Sequence, residues 1–131
     1  MTQRSLLLIM ARDFASRLAT AVFLVDPDGT LVYFNEAAER VLGQPFVEGR
    51  SVPAREWSTA FSPEDEHGEP VPLAALPLGV ALTERTASHG AIRIVGADGV
   101  SRSIEVTAFP LFAHAAECVG AVAIFWENAG H

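Results

Sequence analysis

The spacing of apolar residues changes twice along the first forty positions. From Ser5 to Leu18 apolar side chains recur every three or four residues, which predicts an amphipathic helix that begins at Ser5. The main stripe consists of Leu6, Ile9, Met10 and Phe14. Further leucines beside this stripe widen it, so we expect the helix to make two packing contacts instead of one.

A hairpin and a capped helix follow. Val22 to Val25 and Thr30 to Phe34 are rich in strand-forming residues, and Asp26 to Gly29 has the composition of a tight turn. Asn35 is predicted to cap a helix over 36–42, and Gly43 to end it.

Six prolines between Gln44 and Pro77 predict short helical turns and a long ordered loop. Within it, Ser62-Pro63-Glu64 has the pattern of a helix start. Helical spacing returns from Leu78 to Thr86.

The last third predicts three strands, over 91–95, 101–112 and 119–126, the first two joined by a turn at 96–99. The final strand is apolar on both faces, which in an antiparallel sheet means that both faces are covered. We expect helices on one face, and the N-terminal helix, a second subunit or both on the other.

Composition narrows the class of protein. The chain has 131 residues, a length that suits one domain, and half of the residues are hydrophobic. Its net charge of −7 disfavours binding to nucleic acid or to anionic lipid. The apolar run from Leu6 to Ala11 is too short for membrane insertion or a signal peptide. The lone cysteine, Cys118, fits a reducing compartment, so we expect a cytoplasmic protein.

Three segments resemble PAS domains of bacterial signalling proteins over roughly residues 20 to 128. They are "VFLVDPDGTLVYFNEAAERVLG" (22–43), "EDEHGEPVPLAALPLGVAL" (64–82), and the run of "GADGV", "SIEVTAFPLF" and "GAVAIFWEN" between 96 and 128. The resemblance implies an α+β fold: a five-stranded antiparallel sheet in the order 2-1-5-4-3, short helices on one face, and a pocket between them. We divide the chain into a flanking helix (1–19) that mediates dimerisation and a PAS domain (20–131).

The end of the chain departs from the family. Many PAS domains close the last strand with Asp-x-Thr, whereas Glu127-Asn128-Ala129 stands here. We expect this domain either to be a piece of a larger protein with an effector domain, which is the commoner case, or to act in trans on a partner protein.

The pocket lining follows from side-chain alternation and from the family, in which the residue before the capping Asn points inward. The predicted lining is Phe23, Val25, Val32, Phe34, Ala38, Leu42, Leu78, Leu82, Ile94, Ile104 and Val106. This set is apolar, so it predicts either a packed core without a ligand or an apolar, fatty-acid-like ligand. The stripe Leu6, Ile9, Met10 and Phe14 is the predicted homodimer interface.

Other chemistry is weakly represented. His89 lies beyond the helix that carries haem ligands in PAS domains, which predicts a loop histidine, and the reactive-cysteine motif of flavin photosensors is missing. The acidic run from Glu64 to Glu69 lacks metal-ligand spacing, and Arg93, Arg102 and Glu105 predict surface ion pairs. No catalytic motif is present.

Three functions stay open. The first is a sensor that couples ligand or partner binding to dimer geometry, and the second is a ligand-free interaction scaffold. The third is a small cavity enzyme of the ketosteroid-isomerase kind, for which Glu105 and Tyr33 are the candidate acid or base groups. Strand alternation turns both away from the pocket, so we expect no enzyme.

Overall fold

The computed structural model describes residues 6–114 and 116–128. Its elements in chain order are α1 (Leu6–Ala15), β1 (Ala21–Val25), β2 (Leu31–Phe34), α2 (Glu36–Leu42), α3 (Ala54–Ala60), a 3₁₀ turn (Leu73–Ala75), α4 (Pro77–Glu84), β3 (Ser88–Val95), β4 (Ser101–His114) and β5 (Glu117–Glu127). The strands form one antiparallel sheet in the order β2-β1-β5-β4-β3. The predicted fold class is confirmed.

Asn35 joins three elements at the centre of the molecule. It is 1 % exposed, and its Oδ1 accepts hydrogen bonds from the backbone N–H groups of Val22 and Ala38, each at 3.0 Å. Its Nδ2 donates to the carbonyl oxygens of Ala15 and Thr20, each at 2.9 Å. The residue predicted to cap α2 therefore also fixes the end of α1 and the start of β1.

The two faces of the sheet are covered by different elements. Helices α2, α3 and α4 pack on the inner face around Phe23, Phe34 and Phe125. Helix α1 packs on the outer face, where Leu8 and Ala15 join a smaller buried cluster with strands β1, β2 and β5. The sheet is thus a wall between two apolar layers.

Helix α1 makes one of the two predicted contacts within the chain. Leu8, beside the main stripe, is 1 % exposed against the sheet. The stripe itself faces solvent, and its exposed fractions are Leu6 71 %, Ile9 51 %, Met10 59 % and Phe14 65 %. Ser5, the predicted cap, lies outside the described residues.

Three local predictions were wrong. No helix begins at Ser62, which has a φ of 47°, and Glu64 instead pairs with Arg93 of β3. Strand β3 begins at Ser88, which places His89 in a strand and not in a loop, and β5 begins at Glu117, so Cys118 lies inside it. In both strands, pairing with the long β4 extends the ladder past the residues that local propensity favours.

Candidate functional site

A cavity of about 90 Å³ lies between the inner face of the sheet and helices α3 and α4. Six of the residues predicted to line the pocket are in its wall: Phe23, Leu42, Leu78, Ile94, Ile104 and Val106. Apart from Ser58, the lining residues are apolar or aromatic. An arrangement of this kind can hold an apolar group but offers little to a charged one.

The other predicted lining residues lie elsewhere. Val25, Phe34 and Ala38 are buried in the inner core, and Leu82 packs against its edge, so these four support the cavity without lining it. The placement of Val32 was wrong, because it belongs to the outer cluster. Leu24 pairs with Tyr33 and Val25 with Leu31, which leaves Val32 as an extra residue in β2, and this bulge breaks the alternation on which the prediction rested.

Helix α3 and the residue that caps its C-terminus supply lining residues that the sequence did not predict. Trp57 and Phe61 both border the cavity, and they come from the proline-rich segment predicted mainly as loop. Their spacing of four residues is the signal that could have identified them. The Trp57 indole N–H donates to the carbonyl oxygen of Gly29 at 2.7 Å, and its ring meets that of Phe23 edge-on at 5.3 Å.

A second hollow of about 90 Å³ adjoins the first. Phe23, Trp57 and Phe61 line both hollows, so these three rings are the partition between them. The lining of the second hollow includes three polar residues, Gln44 and Arg50 from the segment between α2 and α3, and Glu56 from α3.

Arg12 fastens α1 to the edge of the sheet. Its guanidinium carbon lies 4.7 Å from the centre of the Tyr33 ring and 5.6 Å from that of Phe46. The same group forms an ion pair with the Glu48 carboxylate, and the hydrogen bond that Arg12 donates to Glu48 raises the pKa of Arg12. A cation held between rings and a carboxylate ties α1 to the segment after α2.

The charged groups of β3 and β4 differ from the predicted pairs. His89 Nε2 lies 2.8 Å from Glu105 Oε1, and alternation along the strands puts both on the outer face. Arg93 pairs with Glu64 at 3.9 Å. His89 is therefore an outer-face residue and does not point towards the cavity.

Arg102 joins the β3–β4 turn to the end of β5. Its Nη2 lies 2.9 Å from Asp98 Oδ2, and its Nε lies 3.6 Å from Glu127 Oε1. The hydrogen bonds from the Arg102 side chain and the Val100 backbone lower the pKa of Asp98.

Within 6–114 and 116–128, no group of three or more His, Cys, Asp or Glu could hold a metal ion. None of the described helices is long and apolar enough to cross a bilayer.

Comparison with known proteins identifies the architecture. A family described as the PAS fold matches residues 15–128. Among solved structures, the chain is similar to the PAS domain of a Colwellia psychrerythraea protein (16 % identity, 95 % of this chain and 99 % of that one, TM-score 0.59). It is also similar to the PAS domain of nitrogen regulation protein NR(II) from Vibrio parahaemolyticus (19 %, 91 % and 98 %, 0.60).

A third similar structure is the LOV domain of a blue-light activated histidine kinase from Erythrobacter litoralis (21 %, 85 % and 97 %, TM-score 0.63). At these sequence identities, the structural similarity shows the fold alone. No curated protein matches the chain. Because the family match covers residues 15–128, which include the β1–β2 hairpin and the three later strands, the chain belongs to the PAS family.

Proposed function

We propose that this PAS domain is a sensory module in which occupancy of the inner cavity alters the geometry of a homodimer formed through α1. The observation that carries the proposal is that β1 and β5 contact the cavity on one face of the sheet and α1 on the other face; we call these two strands the shared wall. Along β1 and β5, Phe23 and Phe125 face the cavity, while Leu24 and Val122 face α1. A ligand that shifts these strands on one side therefore acts directly on the helix on the other.

The dimer proposal rests on the outer surface. The stripe of Leu6, Ile9, Met10 and Phe14 lies on α1, and Phe112 and Trp126 are exposed apolar residues of β4 and β5. Apolar patches of this kind mark interaction sites, and two-fold dimers are the commonest assembly. On this proposal residues 1–19 are the dimerisation segment and residues 20–131 the sensor.

The size of the cavity supports a small apolar ligand. An engineered apolar cavity of roughly 150 Å³ in another protein holds benzene. At about 90 Å³, the inner cavity takes a fatty-acid-like tail only if the side chains of its wall move. The expectations that haem and flavin are not bound, and that the protein is cytoplasmic and acts on an effector partner without binding nucleic acid, stay predictions.

Two alternatives remain as outcomes of the test. A ligand-free scaffold would keep the dimer but bind nothing in the cavity. For the cavity-enzyme alternative, the positions of Tyr33 in the outer cluster and Glu105 on the outer face argue against a role for either group in the cavity.

The test has two parts. Purified protein is denatured, extracted with organic solvent and analysed by mass spectrometry beside a visible absorption spectrum. A stoichiometric apolar molecule supports the sensor, a haem or flavin band contradicts the ligand class, and an empty extract favours the scaffold. Light scattering then compares the wild type with Leu6→Asp/Ile9→Asp, which should be monomeric. Val100→Asp, at an exposed apolar residue outside α1, is the control that should remain dimeric.

A further inference from the structure

We propose that the two hollows are halves of one site for an amphipathic carboxylate, whose tail fills the inner cavity and whose carboxylate binds Arg50 in the second hollow. This inference rests on the proposed function, since it names the ligand class of the same sensor. It depends on the partition between the hollows and on the difference in their polarity.

The partition has one ring that can move. Trp57 is held by its hydrogen bond to Gly29, and Phe23 stacks on Phe34 with ring centres 5.8 Å apart. Among the described residues, Phe61 takes part in no such ring contact and is only partly buried. A change of its side-chain rotamer joins the two hollows while its backbone carbonyl still accepts the hydrogen bond from Val95.

The joined space is apolar at its inner end and polar at its outer end. Apart from Ser58, the residues that line the inner half are apolar or aromatic, so the inner half cannot satisfy a charged head group. The outer half presents Gln44, Arg50 and Glu56 at its wall. A molecule that spans both halves is satisfied when its hydrocarbon end lies inside and its polar end lies at these three residues.

The Arg50 guanidinium, the cation of the outer half, is accessible to the carboxylate of a ligand. Arg50 Nη2 lies 2.6 Å from Glu56 Oε2, and the two side chains are 55 % and 44 % exposed. Exposed pairs of this kind contribute little, so a ligand carboxylate can replace Glu56 as the partner of Arg50. The guanidinium fork then binds the carboxylate through two N–H groups, and the Gln44 amide can donate a third. Glu56, in the first turn of α3, remains in a position that favours negative charge.

The head group is tested with three probes that share one tail: octanoate, octanol and octylamine. Binding to the wild-type protein is measured by calorimetry at low salt. Because a hydrogen bond to a charged group is stronger than one between neutral groups, octanoate should bind about tenfold more tightly than octanol. Arg50→Gln should bring the two affinities to within about twofold. Arg55→Gln, a neighbouring exposed arginine that lines neither hollow, is the matched control and should keep the preference.

The partition is tested with Phe61→Ala and with Phe61→Leu, which keeps more of the packing if the first variant is unstable. Removing the ring removes the rotamer change, so octanoate should bind about two- to tenfold more tightly in either folded variant. Val100→Ala, at an exposed apolar residue that lines neither hollow and lies outside the proposed dimer surface, should leave the affinity unchanged.

The outcomes separate this inference from the proposed function. If octanol and octanoate bind equally well, or if Arg50→Gln keeps the preference for octanoate, the carboxylate site is overturned while an apolar sensor stands. If octylamine binds best, Glu56 and not Arg50 reads the head group, and the inference is also overturned. If no probe binds to the wild type or to either Phe61 variant, both this inference and the ligand part of the proposed function fail.

Discussion

The inner and outer faces of the sheet are both apolar, but the chain covers them to different extents. On the inner face, three α-helices bury a continuous cluster that includes Phe23, Phe34 and Phe125. On the outer face, a single ten-residue helix covers part of β1, β2 and β5 through Leu8 and Ala15. The inner face is thus covered like the core of a folded domain, whereas the outer face resembles one half of an interface.

The difference teaches how a strand with two apolar faces should be interpreted. Every residue of β1 is buried, because the chain covers both of its sides. Strand β5 is buried from Val119 to Ala123, yet Trp126 near its end is 43 % exposed. Apolar side chains on both faces therefore predict a cover, but whether the chain or a partner supplies it depends on how far α1 extends.

The largest effect should separate the two faces directly. Phe34→Ala removes a ring that is 3 % exposed in the inner core and should lower the free energy of unfolding by about 3–5 kcal/mol. Phe112→Ala removes one that is 42 % exposed near the end of β4, where it lines a surface groove with Leu6 and Met10 of α1, and should change it by less than about 0.5 kcal/mol in the monomer. Urea denaturation at low protein concentration measures both. Equal losses would mean that the faces do not differ as described.

The next effect concerns the residue that connects the faces. Asn35→Asp keeps the oxygen that caps α2 but loses both amide donors, so the carbonyl groups of Ala15 and Thr20 lose their partner and face a carboxylate. We expect a loss of roughly 2–4 kcal/mol, from one or two unsatisfied buried groups. Amide hydrogen exchange should rise at the end of α1 together with the start of β1, while α2, whose cap oxygen remains, should change less. Faster exchange in α2 alone would contradict the link between the elements.

A smaller effect should loosen α1 without harming the inner core. Arg12→Gln removes the cation between Tyr33, Phe46 and Glu48 and should lower the free energy of unfolding by about 0–1 kcal/mol, less at high salt. Exchange of the α1 amides should quicken while that of α4 is unchanged. Arg17→Gln, whose side chain is 74 % exposed, is the control and should alter neither.

The smallest effect is a pH dependence at the far end of the sheet. Because Arg102 lowers the pKa of Asp98 below its ordinary value of 3.8, the folded state favours the carboxylate. The stabilisation is present at neutral pH and is lost as pH falls through the folded-state pKa. Asp98→Asn should therefore be less stable than the wild type at neutral pH and equal to it in acid. In an Arg102→Gln background the difference at neutral pH should shrink, and an undiminished difference would exclude Arg102 as its cause.

Local signals sufficed for much of the fold. The turn and cap residues around Asn35 specify the hairpin and α2 over a few neighbouring positions, so the sequence predicted α2 with its bounds and each of the two strands to within one residue. The alternation of Ile104 and Val106 likewise placed β4 residues on the cavity side. Strand order came from the family resemblance and not from the residues.

What could not be predicted depends on contacts that are distant in sequence. The bulge that turns Val32 outward arises from how β1 and β2 pair. Trp57 reaches the cavity because Gly29, 28 residues earlier, accepts its N–H. The direction of α1 depends on which of its two apolar sides meets the sheet, and the side with Leu8 does so although the opposite stripe is more regular.

The shared wall is tested most directly by measuring the dimer dissociation constant by sedimentation with and without saturating octanol. If β1 and β5 transmit occupancy of the cavity to α1, the constant should change by about fivefold or more. Because a homodimer binds two ligands, linkage requires the monomeric Leu6→Asp/Ile9→Asp variant to bind octanol with a per-site affinity that differs from that of the dimer by the square root of this factor, about twofold or more. An unchanged dissociation constant at full occupancy would contradict the account.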